Sequence, residues 1–171
     1  MFFHETLEHE VHVERIDRTY PRLLKWSREY PDGMLMLGVR NHGRPFNRGD
    51  FYLSEDEAVK KYYRMLRDLP NRLGLHVHLA SYPQINGLSY QQQYEAIKRG
   101  RDFLFRLGIE TEDFAAGWWS YNYDTIKACV DLGLKRFHVL LWFLVKNPPH
   151  LVDGVTIVRV NHNNHDYMLA S

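Results

Sequence analysis

The sequence of 171 residues lacks three features that would each define a class of protein: several cysteines, an excess of one charge, and long apolar runs. The single cysteine, Cys129, excludes an internal disulfide framework and a thiolate-rich zinc site. The net charge of +1 creates no overall field that would attract nucleic acid or an anionic membrane. No apolar run approaches the roughly 20 residues of a membrane span. We therefore expect neither a nucleic-acid partner nor a membrane.

The length is that of one domain with a hydrophobic core, and we expect a single domain over residues 1–171. The first residues, Met1 to Glu5, become charged at once and offer no signal-peptide core, so a cytoplasmic location is expected. The last residues, Tyr167 to Ser171, resemble an interrupted strand, as in a chain truncated at its C-terminus.

Histidines and aromatic residues are abundant. There are ten histidines, several of them clustered in pairs and triplets, and aromatic residues make up 14% of the chain. Imidazoles are common metal ligands, and aromatic rings stack on flat ligands. Together the two features indicate a metal site beside a surface that could contact sugar rings.

Short apolar runs alternate with helical patterns along the chain. This alternation is typical of βαβ units with parallel strands, in which ligands gather at the carboxyl ends of the strands. Helices are predicted from the capping box at Ser54 to Pro70, from Ser89 to Gly108, and from about Asn122 to Gly133. Strands are predicted at residues 34–39, 73–79, around 114, 136–145 and 155–160.

The strand at residues 73–79 carries the most informative pattern, because its leucines and valine alternate with His76 and His78. Alternate side chains of a strand point to the same face, so the two imidazoles lie side by side and can reach one metal ion. Neutral imidazole suits Zn²⁺, and also Co²⁺ or Ni²⁺. The alternative is an amphipathic strand whose polar face happens to consist of histidines.

Other candidate site residues lie at the two ends of the chain and after the strand near 114. Glu5 could supply the carboxylate that a two-histidine site needs, and His4 beside it an imidazole, although charged N-terminal residues are often merely solvated. His162 follows an apolar strand, where an acid catalyst or an ordinary turn residue could lie. The aromatic residues that could line a sugar pocket, or pack as core, are Trp118, Trp119 and Tyr121.

The order of five segments resembles the polysaccharide deacetylases, also called the NodB-homology group or carbohydrate esterase family 4. The segments are LGLHVH at 73–78, GLSYQQQ at 87–93, GRDFLFRLGI at 100–109, FAAGWWSYN at 114–122 and DLGLK at 131–135. The resemblance implies a distorted (β/α) barrel of about seven mostly parallel strands. It also implies removal of N- or O-acetyl groups from sugars with a divalent metal, zinc before cobalt or nickel.

The resemblance also implies roles for particular residues. His76 matches the first metal histidine of the family, and His78 takes the place of the second, because Ala80 stands at the usual second position. The early pair of family aspartates falls near His4 and Glu5, which makes Glu5 the metal carboxylate and His4 the base.

The late family histidine, which acts as an acid, is matched best by His162, and an arginine of the family is replaced by Ala115. Because several family positions differ, two other functions remain open. One is a non-catalytic domain that binds a carbohydrate or a partner on the same scaffold. The other is a hydrolase that acts on a C–N bond of a small molecule.

Overall fold

The computed structural model describes residues 4–10, 16–40, 57–78, 84–140 and 153–163, with the backbone alone at 4, 5, 8–10, 16, 39, 40, 58 and 161–163. These residues form six strands and four α-helices that alternate for most of the chain. In chain order they are β1 (His4–Glu10), α1 (Ile16–Glu29), β2 (Met34–Arg40), α2 (Glu57–Arg67), β3 (Arg72–His78), α3 (Tyr90–Arg106), β4 (Asp113–Ala116), α4 (Tyr123–Asp131), β5 (Arg136–Leu140) and β6 (Thr156–Asn163).

The strands form a closed barrel in which every neighbouring pair is parallel. Strand β1 closes the barrel because it pairs with β2 on one side and with β6 on the other. The expected parallel (β/α) barrel is therefore confirmed. The described part of the chain supplies six of the about seven strands expected.

The side chains of β3 divide between the barrel interior and the surrounding helices. Leu75 and Val77 face α3, where Gly100 lets the helix approach them closely. Gly74, His76 and His78 alternate with them and face the interior, where a β-carbon added at Gly74 would meet the side chain of Met36 on the neighbouring strand β2. The interior also holds a small apolar cluster of Met34, Met36, Ala115, Trp119 and Val160.

Two helices begin at the residues that the sequence indicates. Ser89 accepts a hydrogen bond from the backbone N–H of Gln92, whose side chain returns to the Ser89 backbone, so the predicted capping box is confirmed. Asn122 caps α4 in the same manner with Thr125. The third predicted cap, at Ser54, lies outside the described residues.

The N-terminal β1 and α1 were not predicted from the sequence. Strand β1 has the composition HETLEHE, which lacks the apolar alternation of a strand, and it is held by backbone pairing on both of its edges. Helix α1 contains Pro21, which normally marks a break rather than a helix interior.

Predicted strand residues 141–145 lie outside the described part. Within that part, no helix combines the length and the apolarity needed to cross a membrane.

Candidate functional site

His76 and His78 lie side by side at the carboxyl end of β3, and both side chains are buried. Their ring centroids are 4.5 Å apart, and the ring planes meet at 71°. The strand places both rings on the interior face, as the alternation predicts. Two imidazoles this close can both reach one divalent ion, so the pair fits the histidine half of a metal site.

A hydrogen bond to β4 determines which nitrogen of His76 can bind a metal. Nδ1 of His76 lies 3.1 Å from the carbonyl oxygen of Ala115. Because a carbonyl oxygen only accepts, Nδ1 carries the proton, and the neutral ring then has its lone pair on Nε2. Such a backbone contact is the usual way in which proteins orient a metal-binding histidine.

The chain turns sharply after β4 and contacts His78 there. The turn is the 3-10 segment Gly117–Trp119, in which Trp118 and Trp119 have φ values of 56° and 54°. This left-handed region is unfavourable for bulky residues. A β-carbon added at Gly117 would lie 3.0 Å from both Cγ and Nδ1 of His78, so only glycine allows this close approach. Gly117 thus makes room for the His78 ring.

The three predicted sugar-contacting aromatic residues occupy different surroundings. Trp118 is 63% exposed, and its ring lies 5.7 Å from the His78 ring at an angle of 75°. Trp119 is only 8% exposed and packs in the interior cluster. Tyr121 packs against Phe137 with ring centroids 5.3 Å apart, and burial raises its pKa. Trp118 is therefore the one of the three with a largely exposed ring beside the histidine pair.

The pairing register of β1 indicates which residue of this strand aligns, through β2, with His76. His4 and Glu5 begin this strand, and their side chains are outside the described part of the structure. The row of paired residues that contains His76 passes through Gly38 on β2 and reaches Glu10, the last residue of β1. The backbone therefore brings Glu10, rather than His4 or Glu5, into register with His76.

His162 lies on β6, and its side chain is likewise not described. It is two residues beyond Val160, which pairs with Leu140 near the end of β5 and with His4 of β1. It is thus near the carboxyl end of β6, at the same end of the barrel as His78. Among the described side chains, no group of three His, Cys, Asp or Glu residues is placed to hold a metal. The predicted roles of His4, Glu5 and His162 remain predictions.

A charged cluster that the sequence-based analysis did not identify lies toward the amino ends of the strands. Asp113, at the start of β4, accepts hydrogen bonds from Arg136 at 2.7 and 2.8 Å and from His138 Nε2 at 2.8 Å. Arg72 lies 3.2 Å away. Burial by itself would raise the pKa of Asp113, but the hydrogen bonds and charges of His138 and Arg136 outweigh it and hold the pKa well below its usual range.

The position of this cluster in the barrel indicates a structural role. It is at the barrel end opposite His78, where residues of parallel barrels usually contribute to stability rather than to chemistry. The sequence contained one signal for it, since Arg72, Asp113 and Arg136 each begin a strand. His138 is buried, and its contact with Asp113 gives it a structural role.

Several solved structures with a similar fold are polysaccharide deacetylases or family 4 carbohydrate esterases. A putative polysaccharide deacetylase from Mycobacterium smegmatis is 14% identical, with a TM-score of 0.64, and the match covers 93% of this chain and 58% of that one. A CE4 family pseudoenzyme from Bacillus anthracis is 12% identical, with a TM-score of 0.58 and coverages of 99% and 57%.

A third structure is a family 4 acetyl xylan esterase from Clostridium thermocellum in complex with a cobalt ion. It is 14% identical, with a TM-score of 0.56, and the match covers 96% of this chain and 73% of the esterase. No protein-family model matches the sequence, and the comparison with curated proteins gave no match.

These comparisons confirm the resemblance at the level of the fold. The protein has the distorted (β/α) barrel of polysaccharide deacetylases and family 4 carbohydrate esterases. It spans somewhat more than half the length of the first two structures described, at 58% and 57%. Since a fold hosts more than one function, activity must be argued from the site.

Proposed function

We propose that this chain is a divergent polysaccharide deacetylase, a metal-dependent hydrolase that removes an acetyl group from a sugar or polysaccharide. The observation that supports it is the buried pair His76 and His78, with ring centroids 4.5 Å apart at the carboxyl end of a parallel barrel strand. The exposed ring of Trp118 beside the pair offers an apolar face for a sugar.

In the proposed reaction, His76 and His78 would hold a divalent ion, with Nε2 as the donor nitrogen of His76. When bound, the ion would supply a water of lowered pKa and polarise the acetyl carbonyl. A carboxylate of β1 completes the ligands: Glu5 is the sequence-based candidate, and the register with His76 favours Glu10.

The remaining roles belong to proton transfer and substrate orientation. His4 is the candidate base that accepts a proton from the attacking water, and His162 is the candidate acid that protonates the leaving amine or alkoxide. Trp118 stacks on the sugar ring. Trp119, which packs in the interior cluster, and Tyr121, which packs on Phe137, would line the site from behind.

Metal binding is tested first, by titrating the metal-free protein with Zn²⁺, Co²⁺ and Ni²⁺ in a calorimeter. We expect one site per chain, and at least a tenfold loss of affinity in His76→Ala and in His78→Ala. The control is Phe105→Ala, which removes an exposed ring from α3. Wild-type protein that binds none of the three ions would contradict the proposal.

The same titration compares the candidate carboxylates through Glu5→Gln and Glu10→Gln. A loss of affinity in Glu10→Gln alone would support Glu10, the residue in register with His76, as the metal carboxylate. A loss in Glu5→Gln alone would support Glu5, the residue that the family resemblance indicates. Acetate release from acetylated xylan and from N-acetylated chito-oligosaccharides then tests the activity. We expect release to require the metal and to fall at least 100-fold in His76→Ala.

A non-catalytic carbohydrate-binding domain is the second candidate. Two observations favour it: Ala115, where the family carries an arginine, is fully buried in the interior cluster, and the fold is shared with a CE4 family pseudoenzyme. Metal and oligosaccharide binding without acetate release would support this function over the hydrolase. A loss of oligosaccharide binding in Trp118→Ala would place the ligand beside the histidine pair in both cases.

A further inference from the structure

The backbone of the turn Gly117–Trp119 has an unfavourable conformation, and the packing of its side chains offsets the cost of that conformation only in part. Two successive tryptophans adopt positive φ values, which L-residues with large side chains rarely adopt. Trp119 is buried in the barrel interior, so its burial offsets the strain at that residue. Trp118 is 63% exposed and gains little from packing. Its conformation therefore needs another explanation.

The atoms nearest to a β-carbon built at Gly117 belong to the end of β3. A β-carbon at Gly117 would lie 2.7 Å from the carbonyl oxygen of Val77 and 3.0 Å from two atoms of the His78 ring. The Trp118 ring contacts the same imidazole edge to face, at 5.7 Å. The turn therefore covers His78 with a backbone segment at Gly117 and a ring at Trp118.

The segment from β4 into the turn thus occupies the same side of both histidines. The carbonyl of Ala115 accepts from Nδ1 of His76, and Gly117 lies against Nδ1 of His78. Nε2 is then the nitrogen that the His76 ring can present to a ligand. The segment contacts both rings, so their orientation toward a shared ligand depends on these contacts.

We propose that the Gly117–Trp119 turn is a positioning element that holds the His78 imidazole in the orientation in which it shares a ligand with His76. Trp119 anchors the turn in the barrel, and the left-handed backbone at Trp118 brings the turn onto His78. Trp118 and Gly117 act through His78, and neither binds the ion. The use of this orientation for a metal rests on the proposed function, whereas the contact with His78 does not.

Two variants and one matched control test the proposal. Gly117→Ala inserts a methyl group against His78, and Trp118→Asn removes the ring while keeping a residue that tolerates positive φ. The control, Gly100→Ala, crowds the opposite face of β3, with its new carbon 3.1 Å from Leu75 and 3.2 Å from Val77. It perturbs the same strand without touching the histidine rings.

The first readout uses metal-free protein. Aromatic NMR spectra give the ring-proton resonances of His78, assigned by their loss in His78→Gln, and their NOEs to the α-protons of residue 117. We expect these NOEs in wild type and in Gly100→Ala, and expect them to weaken in Trp118→Asn. In Gly117→Ala the His78 resonances should shift from their wild-type positions.

The second readout is the Zn²⁺ and Co²⁺ affinity. Loss of a group that orients a metal ligand typically costs about 10- to 100-fold, and we expect that loss in both variants but less than twofold in Gly100→Ala. Wild-type affinity and an unchanged His78 signal in Trp118→Asn would overturn the proposal, even if Gly117→Ala did not fold. If wild-type protein bound no metal, the proposed function would fail, and the metal-free NOEs would still decide the positioning role.

Discussion

Nε2 of His138 lies 2.8 Å from Oδ1 of Asp113, and both side chains are buried inside the barrel. The same carboxylate receives both guanidinium donors of Arg136 and lies near Arg72. One acidic side chain thus joins the starts of β3, β4 and β5 from within. Because the Asp113 carboxylate and the His138 ring are buried, unlike an ordinary surface ion pair, their loss should measurably affect stability.

Asp113→Asn should therefore destabilise the protein strongly. The amide keeps the shape of the carboxylate but leaves buried donors and a cationic side chain without their charged acceptor, which costs about 3 kcal/mol or more. Urea unfolding measures the loss. The matched control is Glu112→Gln, whose carboxylate is partly exposed and should contribute at most about 1 kcal/mol. Equal effects of the two substitutions would show that the buried cluster does not act as described.

The stability contributed by Asp113 should decrease as the pH falls. Folding lowers the pKa of this carboxyl from its ordinary value of 3.8, so the unfolded chain binds the proton more tightly than the native protein. The contribution is complete above a pH of about 3.8 and is lost as the pH falls below it. The difference in unfolding free energy between wild type and Asp113→Asn should shrink as the pH falls from about 5 toward 3. A difference that grows over this range would contradict the sign.

Asn122→Ala should cost more than Ser89→Ala, although both remove a helix N-cap. The Asn122 amide accepts from the Thr125 backbone N–H at 3.0 Å and also donates to the Asn86 carbonyl at 2.8 Å. Within the described part of the chain, the Ser89 side chain bonds only inside its own capping box. We expect about 2 kcal/mol for Asn122→Ala and about 1 kcal/mol for Ser89→Ala in thermal or urea unfolding. The reverse order would mean that the contact with Asn86 does not stabilise the protein.

The thiol of Cys129 should be unreactive in the native protein. It is buried on α4, and burial raises its pKa well above the ordinary value, so little nucleophilic thiolate is present at neutral pH. A chromogenic disulfide reagent should therefore label no thiol in native protein and one per chain in denaturant. Rapid labelling without denaturant would show that α4 opens readily from the barrel.

Much of the fold could be predicted from local sequence. The apolar runs located β2, β3 and β4, and the capping residues Ser89 and Asn122 located the starts of α3 and α4. A capping box and the alternation of a strand each involve residues close together in sequence, so both can be recognised without the tertiary structure. Strand β1 could not be found in this way, because its pairing with β2 and β6 holds a largely charged segment in place.

For the candidate site, the sequence by itself determined the pair His76 and His78, since the two-residue period of a strand places both rings on one face wherever that strand lies. Only the tertiary structure decided what surrounds the pair. It set Ala115 against His76 and Gly117 against His78, and put Glu10 rather than Glu5 in register with His76. At the other end of the barrel it buried Asp113 among its cations. Each of these relations joins residues from different strands, and the closure and register of the barrel bring them together.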